Sequence, residues 1–179
     1  MSDLLEINPN GLYCPAGDFY IDPWRQVSHA VITHAHADHA GPGSDRYLCA
    51  SPGKHVLRTR MGNNATINTV KYGEHFSVHG VDVSLHPAGH LLGSSQVRVH
   101  HQGVTWVVTG DYKLQQDSTC ECFESVPCDV FVTESTFGLP VYRWPEPATV
   151  ADEINTWWRA NADAGCTSVL LSYALGKAQ

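Results

Sequence analysis

At 179 residues the chain can hold one domain with a substantial core and part of a second. Its 42% hydrophobic and 16% charged residues describe a globular protein, and no apolar run approaches membrane-spanning length. A net charge of −7 argues against a broad basic surface for nucleic acid, so a phosphate-backbone partner has to be held locally, by metal ions and a few placed cations.

The amino terminus lacks a basic stretch followed by a continuous apolar core, so a cytoplasmic protein without a signal peptide is expected. The cysteines at 14, 49, 120, 122, 128 and 166 show no CxxC pairing, and reduced thiols are the default. Cys120, Cys122 and Cys128 could form a thiolate cluster, but their spacing fits no common zinc motif, and ordinary loop cysteines are the preferred reading.

Residues 4–21 alternate short β-prone runs with Asn-Pro-Asn-Gly and Pro-Ala-Gly turns, the pattern of an antiparallel meander. Asp22 closes its last run. By itself it is a turn aspartate, but its position at a strand end also suits it to orient a metal-bound imidazole.

After a short apolar strand at 30–32, the stretch 33–39 carries His34, His36, Asp38 and His39. Neutral imidazoles with a carboxylate suit zinc or a similar first-row ion; an all-oxygen magnesium or calcium cage does not recruit three histidines. In an extended segment alternate residues share a face, so His34, His36 and Asp38 can project together, while His39 needs a change of backbone direction. Surface histidine tracts also bind metal, but they lack the interleaved aspartate and the strand leading in.

A strand at 46–49 is followed by a helix opened by Ser51 as cap and Pro52 and closed at Gly62, with Lys54, Arg58 and Arg60 read as a solvated face. Strands are expected at 69–72, 76–78 and 81–85, and the last runs into a Gly- and Pro-bent turn holding His90. A hairpin over 96–108 delivers Thr109, Gly110 and Asp111, and a carboxylate there can bridge two cations, one oxygen to each. Lys113 follows, either a groove cation or a solvated lysine.

The apolar strand 130–132 again ends near an acid, Glu134. The proline-rich stretch 140–147 reads as a boundary; its aromatics and Arg143 could grip a base or phosphate, or pack on the domain. Thr149 is expected to cap an amphipathic helix to about 162, with Trp157 and Trp158 in the core. A strand at 168–171 and the first turn of another helix at 174–179 complete the reading.

Taken together and in order, the His-x-His-x-Asp-His loop, the His90 turn and the Thr-Gly-Asp turn resemble the metallo-β-lactamase fold. The Pro-Ala-Gly-His-Leu-Leu-Gly-Ser segment, Glu134 with Ser135 to Gly138, and Ser172 to Gln179 are similar to its β-CASP branch of nucleases. Within that branch, residues 11–15, 19–24 and 133–144 are most similar to bacterial ligase-associated DNA exonucleases. The resemblance implies an α/β protein, the αββα sandwich of that fold, over residues 1–145, and the incomplete beginning of a β-CASP cap over 146–179. A truncated chain is inferred, because the family's two downstream histidines are missing from it.

The resemblance also implies the site. His34, His36 and His90 would hold one zinc, Asp38 and His39 the other, and Asp111 would bridge them, with Asp22 in support. Manganese is a possible substitute, and the second ion is expected to bind weakly here. Asp38, Asp111 and Glu134 are the carboxylates of catalysis, and Arg143, Lys113 and Lys177 the candidate substrate contacts.

The implied reaction is metal-dependent exonucleolytic hydrolysis of DNA in repair, through a hydroxide shared by two zinc ions. The substrate is a single- or double-stranded end, and a DNA ligase and helicase are implied pathway partners, with no membrane. Alternatives are an RNA-processing nuclease of the same branch, a small-molecule metallo-hydrolase and a non-catalytic nucleic-acid-binding scaffold.

Overall fold

The computed structural model describes residues 3–177 and divides them into two compact units, 3–134 and 135–177. The division falls after Glu134, ahead of the proline-rich stretch where the sequence reading places the domain boundary.

The first unit is two mixed sheets. One runs in the order β1 (Glu6–Asn8), β2 (Gly11–Cys14), β3 (Phe19–Ile21), β4 (His29–Val31), β5 (Arg46–Ala50), β6 (Ile67–Val70). Its first three strands form the antiparallel meander, and β3 to β6 are then parallel. The other is ordered β11 (Val130–Val132), β10 (Val104–Val108), β9 (Ser95–His101), β8 (Val81–Pro87), β7 (Phe76–Val78), all antiparallel except the β10–β11 pair.

The inward positions are β-branched or aliphatic. Ile21, Val31, Val81, Val83, Leu85, Val97 and Val99 are buried in one core cluster together with Phe19 and Leu5. Strand β8 alternates Val81, Val83 and Leu85 with Asp82, Ser84 and His86, and its polar face is covered as well, since Ser84 and His86 are buried.

This topology collects strand ends. Strands β8 and β10 are both antiparallel to β9 and therefore point the same way, and β11 is parallel to β10, so His90, Asp111 and Glu134 leave one edge of their sheet. In the other sheet β3 and β4 are parallel, so Asp22 and the 33–39 loop leave a common edge. The Thr33 carbonyl accepts hydrogen bonds from Ser95 N at 2.8 Å and Ser95 Oγ at 3.1 Å, which fastens the two edges together.

The helix after β5 is a 3₁₀ turn, Ser51–Gly53, running into α1 (Lys54–Met61). Ser51 is not its cap. The Ser51 hydroxyl donates to Val70 O at 2.9 Å, tying the turn to β6, while Pro52 and Gly62 open and close the element as expected. The strand expected at 69–72 lies at Ile67–Val70, in register with β5.

The second unit consists of α2 (Pro147–Asp163) with flanking turns and extended chain. Glu146 is the residue before the first turn and Pro147 occupies that turn, so Pro147's fixed φ starts the helix and Thr149 is already inside it. Trp157 and Trp158, expected in the core, are 43% and 61% exposed. Residues 168–171 form no strand, since none of the described residues pairs with them. The helix expected over 174–179 is a turn at 174–177, and residues 178 and 179 lie outside the described residues. No described helix is long and apolar enough to cross a membrane.

Candidate metal centre

Three imidazoles and one carboxylate converge at the joined strand ends. His36 Nδ1 lies 3.0 Å from His34 Nε2 and 3.3 Å from His90 Nε2, and one donor atom from each of His34, His36, His90 and Asp111 falls within 4.8 Å of the others. Asp111 turns its two oxygens in different directions. Oδ2 is 3.7 Å from both His34 Nε2 and His90 Nε2, whereas Oδ1 is 3.3 Å from His39 Nε2. On that second side His39 Nε2 is also 3.8 Å from Asp38 Oδ2, and the Asp38 side chain is 78% exposed.

Asp22 anchors the histidine loop. Its Oδ1 accepts from Thr33 N at 2.8 Å; its Oδ2 accepts from Thr33 Oγ1 at 2.5 Å and faces His39 Nδ1 at 2.7 Å. With the Thr33 hydroxyl proton given to Asp22, Thr33 Oγ1 can accept from His34 Nδ1, 3.1 Å away, which leaves the His34 Nε2 lone pair aimed into the cluster. The same carboxylate, holding His39 at Nδ1, aims His39 Nε2 at Asp111. Asp22 itself sits at φ 44, a left-handed bend that aspartate tolerates better than most residues.

Gly110 is required next to Asp111. It has φ +55, and a Cβ there would lie 2.5 Å from Thr33 Oγ1 and 2.6 Å from Thr33 Cβ. Backbone contact between the Asp111 turn and Thr33 is thus part of how the site closes.

The protonation states differ within one loop. Burial, with the neighbouring His39 adding to it, depresses His34 to about 2, and burial also lowers His90 despite the pull of Asp111. Burial alone would depress His39 too, but its hydrogen bonds to Asp111 and Asp22 raise it to about 10. The hydrogen bond from His39 holds Asp111 down at about 2. One proton in each close nitrogen pair makes it a hydrogen bond, and with those protons displaced three imidazole nitrogens and a carboxylate oxygen lie within 4.8 Å of one another, so the donor set at His34, His36, His90 and Asp111 fits a first-row divalent cation.

The remaining residues singled out in the sequence lie as follows. Glu134 Oε1 accepts from Tyr112 N at 3.4 Å, beside the Asp111 turn. The Lys113 ammonium is engaged by Asp117 Oδ2 at 2.9 Å. In the second unit, the Lys177 ammonium lies 5.0 Å from the centre of the Tyr173 ring. Arg58 and Arg60 are not merely solvated: Arg58 donates to the carbonyls of Gly62, Asn63 and Ala65 past the end of α1, and Arg60 Nε donates to Ala35 O at 2.5 Å. His86, assigned no role from the sequence, is buried between the Ser84 hydroxyl and the Glu124 carboxylate, each 3.0 Å from a ring nitrogen. A cavity of about 180 Å³ between the sheets, bordered by Phe19, Val31, Tyr47, Phe76 and Val83, includes none of the cluster residues and is separate from this centre.

No family model matches the chain. It is 30% identical to a probable DNA ligase of Opitutus terrae over 95% of this chain and 17% of that protein. It is 32% identical to the endoribonuclease YSH1 of Gibberella zeae over 63% of this chain and 18% of that one. The chain therefore spans less than a fifth of the length of these curated relatives. Its fold is similar to the crystal structure of an Enterococcus faecalis protein of unknown function, with a TM-score of 0.50 at 15% identity, covering 75% of this chain and 39% of that one. With the ordered ligand loops and the paired mixed sheets, these relatives establish that the chain belongs to the metallo-β-lactamase fold and its β-CASP branch.

Proposed function

We propose that this chain carries the metal-holding part of a metal-dependent nuclease that hydrolyses phosphodiester bonds at DNA ends, in repair and in the cytoplasm. The observation that carries the reading is Asp111, whose two oxygens face two different sets of histidines, as a residue shared by two cations must. His34, His36 and His90 would hold one zinc or manganese ion, Asp38 and His39 a second and weaker one, with Asp111 common to both. When bound, such ions supply a nucleophile from water near neutral pH and positive charge against the non-bridging phosphate oxygens.

The chain's own residues orient and neutralise. Asp22 and Thr33 fix which nitrogen of His34 and His39 points inward, and Glu134, held against the Tyr112 amide, is the carboxylate assigned to proton handling. Local cations replace a basic surface, as a net charge of −7 requires, and Arg143 and Lys177 are the residues assigned to phosphate contact.

Alignment of nearly the whole chain with a protein named as a DNA ligase supports DNA as the substrate and a ligase as the pathway partner. The endoribonuclease relatives support RNA as the second reading. The test is to measure bound metal and follow end-labelled DNA and RNA, single- and double-stranded, with either end blocked. Stepwise loss from free DNA ends is expected; cleavage of RNA alone would move the assignment to the RNA reading, and hydrolysis of neither would refute it. Asp111→Asn is expected to abolish turnover while leaving the thermal unfolding midpoint of the metal-free chain nearly unchanged, and retained turnover would remove the shared role of Asp111.

A further inference from the structure

The 3₁₀ turn Ser51–Gly53 and α1 touch both loops that bring histidines to the cluster. On one side, Arg60 Nε donates at 2.5 Å to the carbonyl of Ala35, the residue between His34 and His36. Beneath it, Leu57, only 1% exposed, lines one narrow crevice together with Ile32, His34 and Ala35. On the other side, Gly53 packs against Gly93 in the turn that carries His90, so closely that a Cβ on Gly93 would lie 2.1 Å from Gly53 Cα. The crevice shared by these residues and Leu92 encloses only about 10 Å³, so little slack separates the helix from either loop.

Resting on the metal-centre reading, we infer that this helical element is a brace that sets the spacing between the His34–His36 loop and the His90 turn, with Arg60 as its positioning residue. The physical case is one of degrees of freedom. Side chains at His34 and His36 are aimed by the peptide planes on either side of Ala35, and a hydrogen bond to that carbonyl from a helix removes rotation about the planes. The Gly53–Gly93 contact fixes the same helix to the His90 turn. Three nitrogens from two loops are then held within 3.0–3.3 Å contacts before any ion arrives, at the cost of keeping a guanidinium near a cation site.

That cost gives the experiment its discriminating sign. If Arg60 were only a nearby positive charge, Arg60→Met would tighten cation binding by removing repulsion. If Arg60 is the brace, the same change weakens Zn²⁺ binding, by about tenfold on the scale of outer partners of metal ligands. Zinc affinity is read on the full 179-residue chain by chelator competition, without nucleic acid, alongside the metal-free unfolding midpoint. Arg60→Lys, which keeps the charge and a donor, is expected to recover part of the loss. Arg58→Met, on the same helix but bonded to carbonyls beyond its end, is expected to lower the midpoint without changing affinity.

Should Arg60→Met fail to fold, Gly93→Ala and Arg60→Lys carry the test, and both must bind zinc more weakly than wild type. Unchanged or tighter binding in a folded Arg60→Met, or in both substitutes, overturns the brace and leaves the metal centre standing. A wild-type chain that binds no zinc removes the centre and the brace together.

Discussion

Replacing Gly110 by alanine tests how the Asp111 turn is seated. Two costs are expected. The residue has φ +55, and an L-residue held in left-handed backbone loses roughly 1–2 kcal/mol. Its new Cβ would also lie 2.5 Å from Thr33 Oγ1 and 2.6 Å from Thr33 Cβ, a crowding of the kind that costs about 1–3 kcal/mol in a packed site. Gly103 provides the control, because it has φ +83 in the β9–β10 hairpin and nothing within 4 Å of its added Cβ. Gly103→Ala should show only the backbone cost. The difference between the two variants in urea unfolding of the metal-free chain is therefore expected at about 1–3 kcal/mol, all of it from crowding Thr33. Thr33 cannot yield without disturbing its bonds to Asp22 and His34, so Gly110→Ala should also weaken zinc binding while Gly103→Ala leaves it intact. Equal destabilisation by the two substitutions, with equal zinc affinity, would refute the proposed seating.

Asp22→Asn removes the charge that holds Thr33 and His39, and a 10- to 100-fold loss of zinc affinity is expected by chelator competition. In the metal-free chain His39 is raised to about 10, so its contribution to stability is complete below its ordinary value of 6.5 and is lost as pH rises toward 10. Asp22→Asn should flatten that alkaline decline in unfolding midpoint, and an unaltered pH profile would count against the Asp22–His39 pair. Burial raises the Cys14 and Cys49 thiols, Cys49 to about 12, whereas Cys122 and Cys166 are exposed. Mass spectrometry after brief iodoacetamide treatment of the native chain should find label on the exposed pair first; early labelling of Cys49 would contradict the close packing beside Leu57.

The strand-end carboxylates and histidines were legible in the sequence for a physical reason. Metal ligands are drawn from few residue types, and β-prone runs followed by Gly or Pro announce where strands stop, so His34, His90 and Asp111 could each be placed at the end of a strand without coordinates. Arg60 was not legible. A helical arginine beside Lys54 and Arg58 has the pattern of a solvated face, and its bond to a carbonyl 25 residues away depends on tertiary approach alone. The same holds for His86 and Glu124, 38 residues apart. In the second unit, the periodicity of Val150, Ile154, Trp157 and Trp158 correctly announced a helix, but an apolar stripe states only that a face can be buried. These residues are 37–61% exposed in the structure, so the expected core position was an inference about partners that helical period does not contain.

The sharpest limit of sequence reasoning lies inside the histidine loop, where one residue type occurs in opposite charge states. His34 and His39 stand in the same short motif, and any reading by residue type treats them alike. Their surroundings do not. His34 is enclosed by the β4 exit and by other imidazoles, so burial and neighbouring positive charge keep it neutral and its Nε2 an acceptor. His39 is caught between Asp22 and Asp111, and two carboxylates outweigh the same desolvation, so it keeps a proton. On the proposed two-ion reading the two sides therefore begin from different states: His34 and His90 are neutral and offer lone pairs, whereas His39 is already paired with Asp111. On that reading an ion held by His34 and His90 would meet acceptors, whereas one held by His39 would have to displace its proton and break its contact with Asp111. That asymmetry comes from burial and two placed aspartates, so the proposed second ion would bind the more weakly for reasons within this loop.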